Sequence, residues 1–391
     1  ILEKPYIATE LIKTLPLSVI QLCDLFWQKQ PKKQDRFGYD RDTMESRYGL
    51  AGKHEFKYFP SSANQTPIKW LLQIAFYDTL EFIITFTNRA VESYSKSDYG
   101  QQDVKEITLY INETKVTQYL SGAIWSMYRG GGSPTVPHVL ESIHMALEKF
   151  LLEISQISKS ELIQNILLKI LMQSKSASLT SVVCSVVLAN PDKFYDVALI
   201  LFKTIELFPI DAIRCSGEFH TKSLYGIGYG MDKIRDILYT DERLKTCEDK
   251  HRNSSLESLF LNYQFFGVKG FTEEQNTEFI GKLYDIIDQY KLNTLISKTY
   301  GILLARMDRR NLIPKVSRHD DNHLRIEFTP KELSDEHKKE SEEALNQYQE
   351  IFKYSSLRIW ADFLIGARNQ TKTAKQEEYD NNPLLALSET K

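Results

Sequence analysis

Residues 139–154 read VLESIHMALEKFLLEI, and residues 162–171 read LIQNILLKIL. In the first stretch Leu140, Ile143, Leu147, Phe150, Leu151 and Ile154 recur at intervals of three and four. The same spacing returns in Leu162, Ile166, Leu167, Ile170 and Leu171 after a polar break. That period belongs to amphipathic helices, and the short break predicts that the two run antiparallel. A third run, Leu179 to Ala189, is opened by Ser176 or Ser178 and closed by Asn190 and Pro191, and a fourth, Phe194 to Phe208, ends before Pro209. Four such helices joined by short turns predict a mainly α fold, a solenoid-like stack of helical hairpins with one or two short β elements. No repeat of fixed period and signature can be written, so the stack rests on spacing alone.

Working outward, Pro16 introduces a predicted helix from Leu17 to Gln28 with Leu17, Ile20, Leu22, Leu25 and Phe26 as its apolar positions. The polar stretch 30–54 reads as a surface connection. Ser61 or Ser62 as a cap, with Pro67 in the first turn, predicts one long helix running through Phe86. Val104 to Ile111 alternates and is rich in β-branched residues, so a strand is expected there. Gly130, Gly131 and Gly132 stop one element, and Ser133 with Pro134 starts another. Further helices are expected over Asp241 to His251, Leu256 to Phe266, Thr272 to Leu292 and Leu295 to Met307, with a short strand at Leu324 to Phe328 and a ragged polar tail over 370–391. These breaks suggest three segments: 1–129, 130–213 and 214–391.

The 391 residues suffice for two or three domains, since single cores stop growing at roughly 250 to 300 residues. Acidic and basic residues nearly balance, 52 against 49, so the overall field gives no reason to expect nucleic acid or an anionic membrane as partner. Cys23, Cys184, Cys215 and Cys247 lie too far apart for a zinc knuckle or a redox pair and suit a reducing compartment, the cytoplasm. No stretch approaches the roughly 18 consecutive apolar residues of a membrane helix. The opening, Ile1 to Ile12, has neither the pattern of a signal peptide nor that of an anchor, and it reads as an internal cut.

Few residues suggest chemistry. Gly226, Gly228 and Gly230 stand between tyrosines at a spacing that is neither a Walker loop nor a dinucleotide fingerprint, which favours a tight turn. His144 with Glu148, and Cys247 with His251, stand four apart and could each supply two metal ligands, but neither pair has a third ligand nearby. No local nucleophile signature appears. Arg306, Arg309, Arg310, Lys315 and Arg318 form the densest basic cluster, either a surface for an acidic partner or a solvated helix end complementing the helix dipole.

The stretches Tyr58 to Pro67, Met127 to Gly130, His144 to Lys149, Ser174 to Ser178, Cys247 to Arg252 and Ala305 to Arg310 resemble blocks of very large bacterial STAND-type antiphage NTPases. That resemblance implies an N-terminal effector, a P-loop ATPase using ATP and Mg, and a long helical region that recognises a phage protein and triggers oligomerisation. No Walker motif is present here, so the likeness places this chain outside the ATPase core and carries over no catalytic residue and no cofactor. Three functions follow as expectations. The first is a non-catalytic scaffold or sensor that binds a protein partner through Arg306, Arg309 and Arg310, contacts the remaining domains of its parent chain and forms a homo-oligomer. The second is a hydrolase or nuclease whose site is assembled from His144, Glu148, Asp249 and His251. The third is a structural spacer.

Overall fold

In the computed structural model, the residues described are 2–29, 43–52, 57–129, 136–224, 234, 236–318, 324–331, isolated positions between 335 and 364, and 374–388. The chain divides into two compact units, Ile1–Ile286 and Ile287–Lys391. It is mainly α, with two short two-stranded antiparallel sheets among the described residues. No described helix is long and apolar enough to cross a membrane.

In the first unit Pro16 takes the first helical position of α1, Pro16–Trp27. Its buried stripe is Val19, Cys23 and Trp27, while Leu17, Leu25 and Phe26 are exposed. The expected stripe was displaced because the larger Trp27 anchors the packing: its indole donates to the Tyr58 hydroxyl at 2.5 Å and lies against Phe82 and Phe86. The expected long helix is two, α2, Ile68–Ile74, and α3, Phe76–Ser95, broken where Ala75 leaves the helical region. Ser61 and Ser62 cap neither, because their hydroxyls are drawn to buried glutamates. Within the stretch read as a connection, residues 43–52 instead form a helical turn, Met44–Arg47, closed by a Thr43 capping box that seats Tyr48 in the core. Residues 30–42, the glycines at 130–132 and 226–230, and the Ser133–Pro134 start lie outside the described residues.

The expected strand is β1, Lys105–Ile111. A two-residue turn with Asn112 at a φ of 53° returns it as β2, Thr114–Leu120, in register from Ile111 opposite Thr114 to Lys105 opposite Leu120. A short helix, Gly122–Trp125, and a 3-10 turn, Ser126–Arg129, follow. Then come α4, His138–Ile157, α5, Ser160–Gln173, and α6, Ala177–Ala189, which Ser176 caps as its sequence predicts. The fourth predicted run divides into α7, Tyr195–Phe202, and α8, Leu207–Leu224. Pro209 sits in the first turn of α8, where a missing amide costs no helical bond, so it does not end a helix.

Every residue of α6 from Ala177 to Leu188 is buried. A helix apolar on all sides must be enclosed, and this one touches α4, α5, α7, β2, the 126–129 turn and elements beyond residue 250. The hairpin stack therefore closes around α6, and the segments 1–129, 130–213 and 214–286 share one core. Its four hydroxyls are all satisfied: Ser178 by His144, Thr180 by Gln118, Ser181 by the Ser178 carbonyl and Ser185 by Glu148. After α8 come α9, Asp241–Thr246, a 3-10 turn, Lys250–Asn253, and α10, Leu256–Phe266, capped by Ser255. The expected charged helix to His251 therefore ends at Thr246. The chain crosses into the second unit within α11, Glu273–Leu292.

In the second unit α12, Thr294–Met307, leads into β3, Leu312–Arg318, paired with β4, Leu324–Pro330. The tail is ordered over 374–388 as helices Ala374–Asn381 and Pro383–Ser388, because Tyr379 is buried against Trp360.

Phe202 lies against Phe208, Phe260 and Tyr263, with centroids 4.8–6.2 Å away, and is fully buried. Phe202→Ala should lower the stability of the first unit by about 3–5 kcal/mol in urea unfolding. A loss below about 1 kcal/mol would mean that α7, α8 and α10 do not share this core.

Candidate functional site

On α4 the residues Glu141, Glu148 and Lys149 project towards other parts of the chain and each finds a partner far away in sequence. Glu141 accepts from Ser61 and lies 3.0 Å from His138 Nδ1. Lys149 donates to Glu242 at 2.9 Å, and the other oxygen of Glu242 accepts from Ser62 at 2.6 Å and from the Ala63 amide at 3.2 Å. Glu148 is gripped by Arg252, whose Nη1 and Nη2 lie 2.5 and 2.9 Å from the two carboxylate oxygens. A carboxylate so deeply buried needs such a bidentate partner to remain charged.

Two further arginine pairs complete a buried knot. Arg129 makes a fork on Glu218, at 2.6 and 2.8 Å, and donates to Thr246 Oγ1 at 3.1 Å. Arg214 makes a fork on Asp211, at 3.0 and 3.2 Å, and donates to the carbonyls of Arg252 and Ser254 at 2.6 and 2.5 Å. Asp211 also accepts the Leu256 amide at 2.8 Å. Tyr128 contributes its ring face, 5.7 Å from the Arg252 guanidinium.

Of the four residues of the expected hydrolytic site, the structure brings three together. Glu148 and His251 meet through Ser185, whose hydroxyl donates to Glu148 and sits 3.1 Å from His251 Nε2. Asp249 stands 3.5 Å from Arg252 and borders both a cleft of 220 Å³ and a neighbouring groove of 560 Å³. His144 is apart: its Nδ1 donates to the Leu140 carbonyl at 2.7 Å, so its Nε2 accepts from Ser178 at 2.8 Å. Because Ser185 has one proton and directs it to Glu148, His251 must donate to Ser185. That polarity is the reverse of a base activating a nucleophile, and Ser185 is 1% exposed.

Burial alone would raise the Glu148 carboxyl, but Arg252, with Arg129 and His251 behind it, more than offsets this and holds it below the usual carboxylate range. Burial lowers His144 to about 4. Burial, then the adjacent Arg252, lowers His251 to about 3. Asp249 is raised, chiefly by burial, with Arg252 opposing. Cys247 and His251 do not share a helix face, since α9 ends at Thr246 and His251 lies in the following 3-10 turn, and burial pushes the Cys247 thiol up. Among the described residues no three of His, Cys, Asp and Glu converge as metal ligands.

In the second unit the three arginines expected to bind a partner are all exposed. Arg310 is committed within its own unit, with its guanidinium 2.5 and 3.0 Å from Asp288 and 2.9 and 3.0 Å from Asp308, which Lys291 also contacts at 2.6 Å. Sequence reading missed Arg129, Arg214 and Arg252 as the centre of the polar network. One local signal existed, the i, i+3 spacing of Asp211 and Arg214; the other two pairs span 89 and 104 residues. No protein-family model matches the chain, and no curated protein matches it significantly.

The two neutral histidines set a pH dependence. Between about 6.5 and their depressed folded values, the unfolded chain binds protons that the folded chain refuses, so stability falls as pH falls. Each contributes a slope of up to about 1.4 kcal/mol per pH unit, ending near pH 4 for His144 and near pH 3 for His251. The lowered Glu148 adds the same sign only below its ordinary range near 4.5. Denaturation of His144→Gln at pH 7, 6 and 5 should show a shallower slope than the parent, whatever its stability at pH 7; an unchanged slope would place the titration elsewhere.

Proposed function

We propose that this chain is a non-catalytic scaffold and sensor region of a large ATP-dependent bacterial antiphage defence protein, working in the cytoplasm, where it binds a protein partner and supports homo-oligomerisation. The observation that carries the binding role lies in the second unit. Pro314 pairs with Phe328 and Val316 with Ile326 across β3 and β4, so the four side chains share one face of the hairpin. Val316 is 59%, Ile326 53% and Phe328 44% exposed, and Pro314 is exposed too. Arg309 precedes β3 by three residues, and Arg306 lies in the last turn of α12, which packs on β4. A contiguous apolar face beside exposed cations suits a protein partner that offers apolar side chains and carboxylates, and in the antiphage reading that partner is a phage protein. ATP and Mg would belong to another part of the parent protein, and its remaining domains would be further partners.

The test is affinity capture of the parent protein from infected and uninfected cells with ATP present, followed by mass spectrometry and particle sizing. A phage protein captured only after infection, together with larger particles, is the expected result. Both should fall at least tenfold in Val316→Asp/Ile326→Asp and in Arg306→Glu/Arg309→Glu, with Arg310 kept because its reversal would disturb Asp288 and Asp308. Capture and assembly unchanged in both variants would remove the hairpin face from the reading.

The meeting of Glu148 and His251 at Ser185, with Asp249 bordering both adjoining clefts, supports a second reading, a hydrolase or nuclease. Cleavage of nucleic acid or peptide by the chain, abolished by Asp249→Asn, would establish it in place of the scaffold.

A further inference from the structure

Residues 241–254, all of them described, pack against the rest of the first unit in an unusual way. Their buried members are Glu242, Arg243 and Arg252, and no apolar side chain among them is buried. Leu244 and Cys247 are only partly covered. Apolar anchors stand just outside the segment, Tyr239 at one end and Leu256 at the other. Between them the attachment is polar throughout: Glu242 to Ser62, Ala63 and Lys149; Thr246 to Arg129; His251 to Ser185; Arg252 to Glu148; and the carbonyls of Arg252 and Ser254 to Arg214.

Docking of this kind differs in kind from that of α6. Lifting an apolar helix exposes its surface to water and loses the whole hydrophobic contribution. Lifting a segment held by ion pairs returns every charge to water at once, and hydration nearly offsets the lost pairing. Removing one partner alone is different, because it leaves the other charge buried and uncompensated. Undocking relieves that orphan, so the segment responds to a single change by leaving.

We propose that residues 241–254 form a strap that releases as one unit between Tyr239 and Leu256, uncovering Glu148, Ser185 and the cleft beside Met145 and Leu152, while α5, α6 and α7 stay folded. Local opening of low-stability segments below the global transition is the general behaviour from which such release is drawn.

Hydrogen exchange on the full chain tests this. In the wild type, peptides from 241–254 should exchange at least tenfold faster than those of α6. Glu148→Gln should speed strap exchange a further tenfold or more and leave α5, α6 and α7 at wild-type rates. The double variant Glu148→Leu/Arg252→Met, which substitutes apolar side chains for the pair, should slow strap exchange to the wild-type rate or below. Exchange of the strap in step with α6 in the wild type, or equal acceleration of both in Glu148→Gln, would overturn the proposal. Should Glu148→Gln fail to fold, the wild-type and double-variant rates decide it by the same criteria.

Discussion

Glu148 sits on α4 beneath the surface, and a carboxylate can remain ionised there only beside a cation that also satisfies its oxygens. Arg252 supplies both, from a turn 104 residues further along the chain. That one requirement fixes where residues 246–254 lie, because the arginine must present both terminal nitrogens to the carboxylate. Once Arg252 is placed, its own carbonyl and that of Ser254 need donors, and Arg214 provides them while it is held by Asp211. Asp211 in turn accepts the Leu256 amide in the first turn of α10. The ionic knot thereby sets the register of α4, α8 and α10 together. Its contribution is more to the choice of arrangement than to net stability, since a buried pair gains little over an apolar pair of similar volume.

The apolar skeleton and this knot differ in how far the sequence exposes them. Helical spacing marked α4, α5 and α6 because each buries residues at intervals that follow the helix itself, and Ser176 and Ser255 cap by local bonds. The same logic misplaced the buried face of α1, where tertiary contacts of Trp27 outweighed the run of leucines. β2 and β3 were overlooked: each earns its stability from a neighbouring strand, and a polar sequence such as Thr114 to Leu120 has little periodicity of its own.

Pairings across 89 or 104 residues leave no local pattern, so nothing in the sequence joins Glu218 to Arg129 or Glu148 to Arg252. The stretches Tyr58 to Pro67, Met127 to Gly130, His144 to Lys149, Ser174 to Ser178, Cys247 to Arg252 and Ala305 to Arg310 nonetheless each carry members of buried or half-buried polar contacts: Ser61 and Ser62, Arg129, His144 with Glu148, Ser178, Arg252, and Asp308 with its exposed partner Arg310. What gives those stretches their character is charge and hydroxyl placed where an interior must satisfy them.

Proton direction separates the scaffold from the enzyme more sharply than the choice of residue types does. A serine, a histidine and a glutamate do meet at Ser185, His251 and Glu148, and by composition alone they could be taken for a nucleophilic centre. With the hydroxyl proton directed to Glu148, however, the imidazole is left as a donor, and its burial, with Arg252 beside it, makes the histidine resist the positive charge that a general base must accept. To reverse that polarity, Glu148 would have to give up Ser185 and Arg252 would have to withdraw. The second change would also carry His251, on the same turn as Arg252, away from Ser185, so in the arrangement described these groups act as the fastening of the fold.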